Sequence, residues 1–143
     1  MVTRRDLKIR EFFKFCDSFA SMSTCRRAST GAIIFPMDLT AIYAIGYNGQ
    51  PRLCDNDDCT GIEGDCGCIH AEANAILKLD YSTTKDCIMY CTTAPCMQCA
   101  GLILNCAPIK ILIFDKPYRD PRGIRRIENS GLSVYTREVM FDD

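Results

Sequence analysis

Residues 87–114 read CIMYCTTAPCMQCAGLILNCAPIKILIF. Cys87 to Cys91 is a short strand-like run, and Ile109 to Phe114 is a second one, rich in β-branched residues. Between them stands Pro95, which constrains the backbone where no helical donor is required, so the segment after it predicts a helix. Strand, helix and strand in that order are the repeating unit of α/β folds.

Working outward, Leu7, Ile9, Phe12, Phe13, Cys16 and Phe19 form a helical apolar face and predict an opening helix over Arg4 to Ala20. Gly31 to Phe35 and Ala41 to Tyr47 read as strands joined by a turn around Pro36-Met37-Asp38. Asn48-Gly49-Gln50-Pro51 ends the second strand, and the stretch on to Gly67 is rich in Cys, Asp and Gly. Helical pattern resumes at Ala71, Ala75, Ile76 and Leu79; Ile124 and Ile127 mark a later helix, and Leu132 to Tyr135 a last strand. A hairpin followed by repeated strand-helix units predicts a three-layer α/β/α sandwich around a central five-stranded mixed sheet, rather than a helical bundle. At 143 residues the chain suits a single catalytic domain, residues 1–143, with a real core and no repeat, low-complexity tract or linker.

Lys+Arg at 17 nearly balance Asp+Glu at 18, which does not point to a nucleic-acid partner. Thr3 to Phe19 mixes polar and apolar residues without a signal-peptide core or cleavage site, and no stretch is apolar enough to span a membrane. Eleven cysteines suggest a disulfide scaffold in a secreted chain, but thiolate ligands and buried thiols in a reducing cytoplasm suit their grouping better. Cys16, Cys87, Cys91 and Cys106 have mostly apolar neighbours and are expected in the core.

The sole histidine lies in His70-Ala71-Glu72, and Pro95-Cys96-Met97-Gln98-Cys99 follows 23 residues later. His70, Cys96 and Cys99 make a three-ligand zinc set with a position left for water, and each half leads into a predicted helix. The exposed backbone donors of two helix N-termini would favour thiolates and developing negative charge. Glu72, outside the ligand set, is then free to move protons, a division of labour suited to hydrolytic removal of an amine. The plainer alternative makes the cysteines buried thiols, His70 a hydrogen-bonded polar residue and Glu72 a favourable acid in a first helical turn.

The chain resembles the zinc-dependent deoxycytidylate deaminases of the cytidine deaminase superfamily. The matching segments are Cys25-Arg26-Arg27 through Gly31-Ala32, Gly46-Tyr47-Asn48-Gly49, His70 through Ile76, and Pro95 through Cys99. The resemblance implies a cytidine deaminase-like fold and a hydrolase that converts dCMP and water to dUMP and ammonia, supplying thymidylate synthesis. It implies that His70, Cys96 and Cys99 hold catalytic zinc with Glu72 as general acid and base. The backbone amide of Ala71 is expected to address the pyrimidine edge. It further implies that Asn48 contacts the deoxyribose and Tyr118 borders the nucleotide. Asn48 before Gly49 also reads as a turn former, and Tyr118 as a surface aromatic. Arg26 reads either as a phosphate ligand or as one half of a surface ion pair.

Some members of that family carry a second, noncatalytic zinc in the cysteine-rich region. By that resemblance Cys25, Cys54, Cys59 and Cys66 are expected to form it, with Cys68 competing for one position. The resemblance also implies a homohexamer activated by dCTP and inhibited by dTTP, with Mg2+ accompanying the triphosphate. Asp55, Asp57 and Asp58 are candidates for positioning magnesium or for hydrating their loop. The rival functions are a cytidine or tRNA adenosine deaminase, a guanine deaminase, and a noncatalytic zinc-stabilised binding module. A nucleic-acid deaminase should offer a basic channel around a flipped base, which the balanced charge does not suggest.

Overall fold

The computed structural model describes residues 2–140. Helix α1 (Arg4–Ala20) starts from a reciprocal cap: the Thr3 hydroxyl accepts from the Asp6 amide at 3.1 Å, and the Asp6 carboxylate accepts from the Thr3 amide at 2.9 Å. Ile9, Phe13, Cys16 and Ala20 recur at helical spacing and are its buried residues. Strands β1 (Gly31–Pro36) and β2 (Ala44–Tyr47) form an antiparallel hairpin. Next come α2 (Ala71–Lys78), β3 (Cys87–Thr93), α3 (Met97–Asn105), β4 (Ile109–Lys116), α4 (Arg122–Ser130), β5 (Ser133–Thr136) and the short α5 (Arg137–Met140).

The five strands lie in the order β2-β1-β3-β4-β5. Strand β1 is antiparallel to both neighbours, while β3, β4 and β5 run parallel, so the expected mixed sheet is present. All of β1 is buried, and its side chains alternate between two cores. Ala32 and Ile34 join Met89, Cys91, Leu112 and Ile103 under α2, α3 and α4. Ile33 and Phe35 join Tyr90, Ile113 and Phe13 under α1. Burial on both faces is the physical content of the three-layer arrangement.

Close approaches hold α2 and α4 in place. A Cβ on Gly46 would lie 2.7 Å from the Ala71 carbonyl oxygen, so α2 seats its first turn directly on β2. A Cβ on Gly123 would collide with the Pro95 carbonyl oxygen, so α4 packs against the entrance of α3. The expected strand over Ala41 to Tyr47 begins only at Ala44. Leu39, at φ +59°, turns the chain and buries its side chain under α1, which delays ladder pairing. No described helix is long and apolar enough to cross a membrane.

One edge of the sheet gathers the ends that matter. Strands β2, β3 and β4 end there, and β1 begins there because it runs the opposite way. The segments after Tyr47, Thr93 and Lys116 and the one before Gly31 therefore meet at the carboxyl ends of the parallel strands, where open α/β sheets place their ligands.

Candidate active site

His70 caps α2 with extended backbone and gives no side-chain hydrogen bond to the helix, so its ring turns instead toward Cys96 and Cys99. Cys96 caps α3, and its sulfur accepts from the Cys99 amide at 3.4 Å. His70 Nδ1 lies 3.4 Å from Cys96 Sγ and 3.5 Å from Cys99 Sγ. Tetrahedral zinc, at about 2.3 Å from sulfur and about 2.0 Å from nitrogen, separates its donor atoms by about 3.5–3.8 Å. The trio fits the ion in chemistry and in spacing. Hydrogen bonding from the Cys99 thiol, then from His70 and the Cys99 amide, draws the Cys96 thiol down to about 4 despite its burial. The same bond seen from Cys99, together with burial and the nearby Glu72, pushes the Cys99 thiol up. The hydrogen bond with Cys96, and then its charge, raises the His70 pKa against the pull of burial.

Glu72 follows in the first turn of α2 and is only 5% exposed. Burial raises its pKa, against the opposing pull of its own backbone amide and His70. Among the described residues the buried polar side chains are Glu72 and Asn48, and both face one cleft. His70, Cys96, Thr93, Ala94, Arg27 and Tyr118 also line it. The Asn48 amide accepts from the Thr30 N–H at 2.9 Å and donates to the Ala28 carbonyl at 2.8 Å, clamping the β1 entry segment to the end of β2.

The profile described as cytidine and deoxycytidylate deaminase zinc-binding region matches residues 7–115. The chain belongs to the cytidine and deoxycytidylate deaminase family. It is 31% identical over 144 residues to a deoxycytidylate deaminase of Saccharomyces cerevisiae, covering 92% of this chain and 45% of that protein. It is 36% identical over 127 residues to ComE operon protein 2 of Bacillus subtilis, covering 84% of this chain and 66% of that protein. The chain therefore spans less than half the length of the yeast relative. Among solved structures, a dCMP deaminase from the cyanophage S-TIM5 in complex with dCMP and dUMP superposes with a TM-score of 0.74 at 27% identity. That match covers 90% of this chain and 96% of the phage chain.

In this deaminase-family chain a second thiol cluster adjoins the first. Cys25, Cys59, Cys66 and Cys68 bring their sulfurs within 4.8 Å of one another, with Cys25 and Cys66 3.9 Å apart. The expected ligand Cys54 is not among them: it is exposed, at the end of a turn in which its amide donates to the Pro51 carbonyl. Cys68 takes the fourth place because Gly67, at φ +80°, bends the backbone so that the thiols on either side of it converge. Burial raises the Cys25 thiol, but hydrogen bonds from the Arg27 and Ala28 amides and the Cys68 and Cys66 thiols outweigh it and bring Cys25 to about 7. Burial and the other three thiols push Cys68 up to about 12, against the hydrogen bond from Gln50. Such a polarised set suits a closed thiolate site.

Of the two readings of Arg26, the surface ion pair is the one present. Arg26 is exposed, lies 3.6 Å from Asp57 and uses its amide to donate to the Cys59 sulfur. Arg27, one residue on, reaches the cleft. Arg119 borders the adjoining surface, its guanidinium 4.8 Å from the Tyr118 ring centroid. The doublet Arg26-Arg27 was visible in sequence, but which of the two faces inward depends on how the Cys25 and Cys59 sulfurs anchor the segment. Ala71 is fully buried between His70 and Glu72. Cys16, Cys87 and Cys91 lie in the core as expected, whereas Cys106 is only half-buried.

Proposed function

We propose that this chain carries out hydrolytic deamination of dCMP to dUMP and ammonia. The observation that carries the reading is a buried carboxylate, Glu72, beside a His/Cys/Cys trio in a cleft that Arg27 borders. A zinc ion bound by His70, Cys96 and Cys99 would supply the Lewis acidity that makes water a competent nucleophile near neutral pH. Glu72 accepts the proton of the attacking water and returns protons to the ring nitrogen and the departing amine. Its pKa, raised by burial, suits a group that must both take and give a proton. Asn48 keeps one amide hydrogen and lone-pair capacity for a sugar hydroxyl, and Tyr118 forms a half-buried wall beside it. The first-turn amide of Ala71, at the α2 N-terminus, addresses the pyrimidine edge. Arg27 and Arg119, rather than Arg26, receive the 5′-phosphate.

The thiol tetrad Cys25, Cys59, Cys66 and Cys68 holds a second, structural zinc that orders the cysteine-rich loop. Free thiols at both sites support a reducing compartment, the cytoplasm, for this protein. Activation by dCTP and inhibition by dTTP, with magnesium, in a homohexamer rest on the family resemblance of the Gly46-to-Cys66 region. The acidic run has a local job of its own: Asp55 and Asp58 cap the 3-10 turn Asn56–Asp58 reciprocally, and Asp57 lies near Arg26.

The deciding experiment is ammonia release by zinc-loaded protein with dCMP, CMP, deoxycytidine and dCTP, each with and without dCTP or dTTP plus magnesium. Selective turnover of dCMP is expected, with a loss of roughly 10²–10⁴-fold in Glu72→Gln at unchanged zinc content. Turnover of nucleosides in preference to dCMP would give the cytidine deaminase alternative. Inactivity at full zinc occupancy would give the binding-module alternative. Light scattering with and without nucleotide reports assembly.

A further inference from the structure

The loop between two thiols of the tetrad, Cys59 and Cys66, carries a tight turn over Ile62 to Asp65, in which the Asp65 amide donates to the Ile62 carbonyl at 3.0 Å. Gly64 takes its third position at φ +76°, the left-handed conformation a type II turn requires there. Glu63 stands at the corner. Its Oε1 lies 2.6 Å from Arg119 Nε, and its Oε2 lies 4.0 Å from Arg27 Nη2. Arg27 comes from the connection between α1 and β1 and Arg119 from the segment after β4, so one carboxylate joins two arginines from distant parts of the chain. Both arginines border the surface that continues from His70 and Cys96. The guanidinium of neighbouring Arg122 is already engaged with the Asp120 carboxylate in three contacts of 2.8 to 3.1 Å.

We propose that Glu63 is a displaceable internal anion, occupying the phosphate-binding arginines Arg27 and Arg119 until the substrate's 5′-phosphate replaces it. This rests on the dCMP reading above and adds to it a residue that tunes phosphate affinity. The Glu63 side chain is 59% exposed, so each of its ion pairs is weak, whereas a phosphate dianion facing two arginines forms stronger charge-assisted hydrogen bonds. Exchange is then favourable but carries the cost of breaking the internal pairs. A nucleoside, with no phosphate, meets no such competition.

The test compares wild-type chain with Glu63→Gln, both zinc-loaded, measuring KM for dCMP and deoxycytidine and direct binding of dUMP and deoxyuridine by calorimetry. Removing the competing charge is expected to lower KM for dCMP and Kd for dUMP about fivefold, the scale of two part-exposed ion pairs. The nucleoside constants are expected to move less than twofold. Added salt should shrink the difference. In an Arg119→Gln background the effect of Glu63→Gln should shrink, because only the longer pair with Arg27 is then left to break. A rise in KM for dCMP, or equal shifts for nucleotide and nucleoside, overturns the inference. Absence of dUMP binding and dCMP turnover in the wild-type chain instead overturns the functional reading beneath it.

Discussion

His70 Nδ1 and Cys96 Sγ lie 3.4 Å apart, although 26 residues separate them and each caps a different helix. The two helices start from adjacent points because Tyr47 and Thr93 end strands at the same sheet edge, and Gly46 and Gly123 let the helical elements pack without clash. The metal trio is therefore a property of the sheet edge rather than of a flexible loop.

Substituting a member of the trio should empty one site and spare the other. In Cys96→Ser, bound zinc is expected to fall by one ion per chain, with deamination down by at least ~100-fold. Atomic emission on purified protein checks the stoichiometry. Loss of both ions would show that the two clusters do not fill independently.

Cys68→Ser and Cys54→Ser make opposite predictions for the tetrad. Cys68→Ser should lose the structural ion and lower the melting temperature, because the loop from 50 to 68 contains few buried apolar side chains to hold it. Cys54→Ser should change neither zinc content nor melting temperature, since its thiol is exposed and outside the cluster. Calorimetric melting alongside zinc analysis decides between them.

On the opposite face of the sheet, Arg137 Nη1 donates to Asp17 at 2.6 Å and to the Tyr90 hydroxyl at 3.0 Å, while Tyr90 donates to Asp17 at 2.9 Å. The Tyr90 ring, fully buried, stacks on Phe13 with centroids 4.1 Å apart. Arg137→Ala removes the donor shared by α1 and β3 and should cost about 1–3 kcal/mol in urea unfolding. Tyr90→Phe should cost less in the Arg137→Ala background than in wild type, since both act on one network. Bound zinc should be unaffected in each.

The β1–β2 turn supplies a pH prediction. Hydrogen bonding from the Thr40 hydroxyl, then from Lys85 and the Thr40 amide, holds the Asp38 carboxyl at about 2, below its ordinary 3.8. A depressed folded-state pKa means that its contribution to stability is complete above the ordinary value and is lost as pH falls through about 2. A carboxyl-detected NMR titration should place Asp38 there, and Thr40→Val should raise the midpoint further than Lys85→Met.

Local patterning made α1 legible over Arg4–Ala20 through its apolar stripe, and the reciprocal cap of Thr3 and Asp6 accounts for where it starts. The β1 and β4 runs were legible for a similar reason: a largely apolar segment that reaches both cores has few other places to go. The start of β2 and the short α5 were not. Leu39 and Arg137 serve partners far along the chain, the α1 face and the Asp17–Tyr90 pair, and local propensity carries no record of them.

The same division runs through the site. His70, Glu72, Cys96 and Cys99 are recognisable from residue type and spacing because the chemistry demands those donors, and short-range helix starts present them. Which cysteine completes the tetrad, and which arginine faces the cleft, follow only from tertiary packing. Gly67 folds Cys68 inward while Cys54 remains on an outer turn. The Cys25 and Cys59 sulfurs orient the doublet so that Arg27, not Arg26, enters. A one-residue change in direction is invisible in composition and decisive in space, because the bend at Arg26 and Arg27 sends the first side chain toward Asp57 and the second into the cleft.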